Sequence, residues 1–199
     1  MTSVAGHYSQ NADRLARSYL DLAFEDVHGA WRSHLPAPGA HVLDVGAGVG
    51  RDARALSHLG YLVTAVEPSA PMTLRGMRAV QPFAVEWIQD RLPDLSRVRE
   101  SGAIYDLVLC SAVLMHVEPA ALERSLQSLA DVTARTGRIV ATVRARRDDD
   151  PIGVFHDHSD SQVLRAAKSA GLELIDRGEN ADRMDRPDAL WRWFAFCLL

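Results

Sequence analysis

Apolar and polar positions alternate along the chain in a regular pattern of short buried runs and amphipathic stretches. Mostly apolar runs at His41–Val45, Tyr61–Val66, Ala84–Ile88, Ile104–Cys110 and Arg138–Arg144 read as strands. Between them lie helical stripes. Ala53, Leu56 and Leu59 mark one face of a helix from Arg51, which Gly60 ends. Ser69 precedes a second helix with Pro71 in its first turn and Met72 and Met77 along it. A third helix is expected around Asp94 to Glu100 and a fourth from Glu118 to Thr133. Ser159 with Gln162 three residues on is a capping box, opening a helix to Ala170 that Gly171 stops. Leu172–Ile175 and Leu190–Leu199 read as the last two strands, the final one rich in Trp and Phe. Strand and helix in strict alternation predict an α/β, doubly wound, mostly parallel sheet with helices on both faces and ligands at the carboxyl ends of its strands.

The residues before Pro36 read as one or two helices with Tyr8, Leu15, Tyr19, Leu22 and Val27 on an apolar face, and Leu35–Gly39 breaks the chain before the sheet begins. This divides the chain into an N-terminal helical cap over 1–38 and a sheet domain over 39–199. At 199 residues the two form a single domain, so a substrate site must be built from loops and from the cap.

Composition adds limits. An apolar content of 47% with 24% charged residues supports an ordinary globular core. A net charge of −4 carries no basic stripe, which argues against a nucleic-acid partner. Cys110 and Cys197 stand far apart in apolar runs and read as buried free thiols. The first residues lack the basic and apolar regions of a leader, and no apolar run reaches membrane-spanning length, so a cytoplasmic protein with no membrane partner is expected.

The chemistry is concentrated after the first strand. Gly46, Gly48 and Gly50 mark a turn where backbone passes close to a ligand. A dinucleotide loop would bring such a turn to a pyrophosphate, but Asp44 stands two residues before the first glycine and Arg51 takes the third loop position. A carboxylate there repels a diphosphate and attracts a ligand with an ammonium and a sulfonium. Glu67 closes the second strand, where an acid with only acceptors takes both protons of a ribose diol and rejects a 2′-phosphate. An adenosyl group fits.

Asp44-x-Gly46-x-Gly48-x-Gly50, Val66-Glu67-Pro68-Ser69, Gln89-Asp90-Arg91-Leu92-Pro93, Tyr105-Asp106-Leu107-Val108 and Gly137-Arg138-Ile139-Val140 together resemble the ordered blocks of class I, Rossmann-like S-adenosylmethionine-dependent methyltransferases. The resemblance implies a seven-stranded sheet whose last strand is antiparallel, with S-adenosylmethionine as cofactor and S-adenosylhomocysteine as product. It implies cofactor contacts from Asp44, Gly46, Ala47, Gly48, Glu67, Pro68, Asp90, Arg91, Leu92, Cys110, Ser111 and Ala112. In that family the acid at Asp90 receives the adenine amine; a surface turn is the competing explanation. Arg51 either reaches the methionyl carboxylate or is solvated, and Met72 packs on the nucleoside or in the core.

After the fourth strand the family sets the methyl group facing the substrate. The Asn/Asp-Pro-Pro-aromatic motif of amino-directed nucleic-acid enzymes is replaced here by Cys110-Ser111-Ala112-Val113. His116 is the candidate general base, or else a support for the loop. Tyr8, Tyr19, Met115, His156 and His158 are candidates for the substrate rim. His156-Asp157-His158 after three aspartates resembles a metal cluster, but adjacent loop residues rarely converge on one ion, and no metal is expected. The function expected is in-line methyl transfer to an oxygen, nitrogen or other nucleophile of a small molecule. The alternatives are a protein or tRNA acceptor engaged by Arg144-Ala145-Arg146-Arg147, and a non-catalytic cofactor-binding partner subunit.

Overall fold

The computed structural model describes residues 3–184, 186 and 189–199. Seven strands form one sheet: β1 (His41–Val45), β2 (Leu62–Val66), β3 (Val85–Ile88), β4 (Tyr105–Ser111), β5 (Thr133–Arg144), β6 (Leu172–Asn180) and β7 (Trp191–Leu198). Their order is β3-β2-β1-β4-β5-β7-β6. The first five strands pair in parallel, and β7 runs antiparallel to both β5 and β6. The sequence therefore reverses direction between β1 and β4, where a crevice opens at the carboxyl ends.

Both faces of the sheet are covered at its centre, which is why the central strands β1, β2 and β4 are mostly apolar. Val42, Val63, Ala65, Leu107, Leu109, Val140 and Ala195 face a core shared with α4 (Arg51–His58), Phe24 and Trp31. Their strand neighbours Leu43, Val66, Val108, Cys110, Ile139, Ala141, Phe194 and Phe196 face the opposite core. That second core is closed by α6 (Ser96–Glu100), α7 (Leu122–Asp131) and α8 (Asp160–Ser169). Cys110 is buried, Cys197 half-buried, and both thiols are free.

The N-terminal segment differs from the expected one or two helices. It folds as α1 (Val4–Gln10), α2 (Ala12–Leu20), α3 (Phe24–His28) and a 3-10 turn over Gly29–His34. Asn11 breaks the first pair by turning its side-chain amide back onto the His7 carbonyl at 2.9 Å, and Ala23, in extended conformation, starts α3. Ala12 and Leu15 pack with Val49 of the glycine loop and Met72 of α5 (Ala70–Ala79), so the segment lies across the carboxyl ends of the first strands.

Other boundaries shift for local reasons. The helix expected from Glu118 begins only at Leu122, after a 3-10 turn over Pro119–Ala121. Strand β6 continues to Asn180 because its backbone pairs with β7 through polar residues that carry no alternating signal. The Ser159–Gln162 capping box forms as expected.

Candidate active site

The carboxyl end of β1 turns through Gly46, Gly48 and Gly50, all at positive φ (73°, 55° and 76°), a region in which a Cβ is strained. Gly46 has a second constraint, since a Cβ there would lie 2.4 Å from Val113 Cγ2. The loop is pinned to the end of β2: Gly46 and Ala47 N–H donate to the Val66 carbonyl at 2.8 and 2.9 Å. Glu67 continues this brace, its Oε2 accepting from Gly48 N at 2.9 Å and its Oε1 from Ser69 N at 2.8 Å. Burial pushes the Glu67 pKa up, and the two backbone N–H groups partly offset it. A carboxylate has about four lone-pair sites, so each oxygen retains one for a ligand hydroxyl.

These elements line a cavity of about 570 Å³ bounded by the glycine loop, the ends of β2 and β4, the N-terminal segment and the chain between β6 and β7. Gly46, Ala47, Gly48, Arg51, Glu67, Pro68, Met72, Asp90, Arg91, Leu92, Ser111 and Ala112 line it, as do Tyr8, Tyr19, Met115 and His116. Residues far apart in sequence and assigned from separate signals are thus brought to one space.

Four assigned residues are not. Asp44 is buried and absent from the cavity wall; its carboxyl takes the Ala53 N–H in the first turn of α4, and its Oδ2 has no partner among the described residues. Burial, then the neighbouring Asp52 charge, pushes its pKa well up. The expected direct contact with a cationic ligand is therefore replaced by a place under the helix. Cys110 faces the core beneath β4, and burial raises its thiol pKa. His158 is buried, with Nε2 3.0 Å from both the Leu114 and Val117 carbonyls, so it braces the loop after β4 and is not a rim residue. His156 likewise lies off the wall, its backbone N–H donating to Met115 O at 2.7 Å.

One assigned acid and one assigned arginine have structural partners as well as a place on the wall. Asp90 accepts from Arg91 N (2.8 Å), Arg97 N (2.8 Å) and Val98 N (3.2 Å), satisfying orphan donors at the start of α6. Arg51 forks onto Asp52 at 2.7 Å through two nitrogens, and His28 Nε2 lies 3.0 Å from the same carboxylate. Burial of Asp52 is outweighed by Arg51 and His28, which hold its carboxyl far below the usual range.

On the cavity wall, His116 Nδ1 lies 2.8 Å from the Val154 carbonyl. A carbonyl only accepts, so Nδ1 carries the proton and Nε2 of the neutral ring is an acceptor. Tyr8 Oη lies 2.9 Å from that Nε2 and donates to it. Burial pushes His116 down to about 4 and pushes the Tyr8 phenol well up, so both are uncharged near neutral pH. Phe155 packs against His116 with centroids 4.5 Å apart and ring planes tilted by 60°, and the Arg144 guanidinium carbon lies 4.5 Å from the centroid of the same Phe155 ring.

Sequence reasoning missed Arg144 as a wall residue. It read the arginine run as a surface for an acidic partner, but Arg144 is buried and paired with Asp150 at 2.6 and 2.7 Å, and Arg147 pairs with Asp149 at 2.9 Å. The facing run Asp148–Asp150 was the available signal. Asp182 and Trp191, joined at 2.8 Å, carried no signal because their contact depends on the β6–β7 pairing.

A family described as "Methyltransferase domain" matches residues 42–137. The chain is 31% identical to protein-L-isoaspartate O-methyltransferase 2 of Polaromonas sp. over 130 residues, 60% of this chain and 62% of that protein, so it spans under two thirds of that relative's length. It is 26% identical to phosphatidylethanolamine N-methyltransferase of Cereibacter sphaeroides over 186 residues, 83% of this chain and 90% of that one. Among solved structures, magnesium protoporphyrin IX methyltransferase of Synechocystis with bound S-adenosylhomocysteine superposes with a TM-score of 0.74 at 20% identity, covering 97% of each chain. An S-adenosylmethionine-dependent methyltransferase of Clostridium acetobutylicum gives 0.70 at 12% identity, over 96% of this chain and 98% of the other. The matched methyltransferase domain, the strand order and the braced glycine loop make this chain similar to class I S-adenosylmethionine-dependent methyltransferases.

Proposed function

We propose that this protein transfers a methyl group from S-adenosylmethionine to a small-molecule acceptor held beside His116 in the cavity. The observation that carries the reading is a single cavity lined by Glu67, the glycine loop and the Tyr8–His116 pair. The residues fit the cofactor. Glu67 keeps acceptor sites for a ribose diol, its carboxylate repels a diphosphate, and Gly48 holds the loop at a positive φ of 55° that a Cβ would strain. Glu67, Met72, Asp90 and the Gly46–Gly48 backbone would hold the nucleoside, and Ser111 and Ala112 would flank its reactive end. When bound, the cofactor supplies a methyl group already activated on a sulfonium.

The protein's own task is then orientation and exclusion of water. Aligned reactants gain roughly 7–11 kcal/mol from proximity alone, so a strong base is not required. Tyr8 brings α1 over the cavity and fixes the His116 ring from one side, while Val154 fixes it from the other. An acceptor that displaces the Tyr8 hydroxyl would find the Nε2 lone pair free to take a proton.

The test is incubation with donor labelled on the methyl group against metabolite and macromolecular fractions of a cell extract. Label in low-mass material is the expected result. Label confined to protein or RNA would contradict the small-molecule reading.

A further inference from the structure

Resting on the methyltransferase reading, we propose that the acceptor is an apolar oxygen acid, attacked through a carboxylate or acidic hydroxyl oxygen beside Arg144, and not an alkyl amine. The cavity wall that includes His116 has a surplus of donors. Asp150 is fully engaged by the Arg144 guanidinium and by Arg147 N at 2.8 Å. Asp182 accepts from Arg186 at 2.6 Å, Trp191 Nε1 at 2.8 Å and Met184 N at 2.7 Å. The other acid on this part of the wall, Glu118, is exposed at the rim. An ammonium group would find no buried carboxylate free to hold it.

Donors, in contrast, remain. Arg144 is 3% exposed and lines the cavity, yet its Nε has no partner among the described residues. Leaving a buried donor unpaired is costly, and an acceptor oxyanion would satisfy it. Arg144 and His116 both pack against the Phe155 ring, the guanidinium carbon and the imidazole centroid each 4.5 Å from its centroid, and both residues line the cavity. Arg183, exposed on the wall, donates its Nε to Asp26 O at 3.0 Å, and its other nitrogens have no partner among the described residues. The surrounding surface from Leu22, Val27, Val113, Met115 and Trp191 is apolar, which suits an aryl or alkyl body.

The chemistry balances without a strong base. A carboxylate oxygen bonds to the methyl carbon as the carbon–sulfur bond breaks and its electron pair goes to sulfur, leaving a methyl ester, S-adenosylhomocysteine and no proton to remove. A hydroxyl attacks through an oxygen lone pair as the carbon–sulfur bond breaks and its electron pair goes to sulfur. The alkylated oxygen is then strongly acidic and passes its proton to His116 Nε2 and on to water, leaving an ether. An alkyl ammonium, with a pKa of about 10, must first lose a proton, and His116, pushed down to about 4, is too weak a base to take it.

The experiment is calorimetric titration of the protein saturated with S-adenosylhomocysteine, using cinnamate, indoleacetate and naphthol against phenethylamine and tryptamine. Heat with cinnamate or indoleacetate identifies the carboxylate form and heat with naphthol the hydroxyl form, and neither amine should bind. Arg144→Gln should weaken binding of the acid by about tenfold or more with affinity for S-adenosylhomocysteine unchanged. Should that variant fail to fold, Arg183→Ala, on the exposed wall, should weaken it by about threefold. Binding of the amines in preference, no heat with any acid, or acid binding unchanged in the folded variants would overturn the proposal. Failure of the wild-type protein to bind S-adenosylhomocysteine would instead overturn the methyltransferase reading beneath it.

Discussion

Glu67 combines two tasks in one carboxylate, bracing Gly48 and Ser69 while facing the cavity. Charged hydrogen bonds are worth ~1.5–3 kcal/mol, so Glu67→Ala should raise the S-adenosylhomocysteine Kd by about tenfold or more, measured by calorimetry. Unchanged affinity would remove Glu67 from the site. His116 has a signature in stability. The unfolded chain binds its imidazole proton near pH ~6.5, whereas the folded chain does so only near 4. Between these values the unfolded state holds more protons, so stability conferred by the buried neutral ring is complete above the window and lost as pH falls through it. His116→Gln should flatten the fall in urea midpoint between those pH values; an unaltered slope would show that other groups cause it. Single residues were legible as wall positions where type and spacing sufficed, as at Glu67 and Gly46. They were misread where partners came from elsewhere: Asp44 turns to the α4 backbone, and His158 to two carbonyls across the core.

Each strand and most helices were visible as sequence pattern because a sheet covered on both faces demands apolar residues at successive positions. The pattern failed for the outer part of β6, where Asp176–Asn180 pair through backbone and leave polar side chains outside. It also failed in the N-terminal segment, where Asn11 splits one apparent helix into two. Two substitutions test the elements. Gly46→Ala puts a Cβ against Val113 at positive φ and should cost about 1–3 kcal/mol from overpacking alone, with cofactor binding weakened in parallel. Ser159→Ala breaks the capping box of α8 and should cost about 0.5–2 kcal/mol while leaving cofactor affinity unchanged, since α8 lies on the opposite face. Equal effects of the two on binding would contradict the division of labour between the elements.

On the scale of the whole molecule the cavity is an assembly of pieces that no local pattern joins. The antiparallel last strand came from the family resemblance, and the strand order and the cap's contact with Met72 and Val49 only from the folded chain. The chain is closed over its site by α1 and α2, so a ligand that fills the cavity should protect the Asn11 and Ala23 breaks from limited proteolysis. The measurement that bears most directly on the account is isothermal titration of the purified protein with S-adenosylhomocysteine. The account predicts saturable binding at one site with a micromolar Kd. Absence of heat with this ligand, under conditions where the protein is folded, would contradict it.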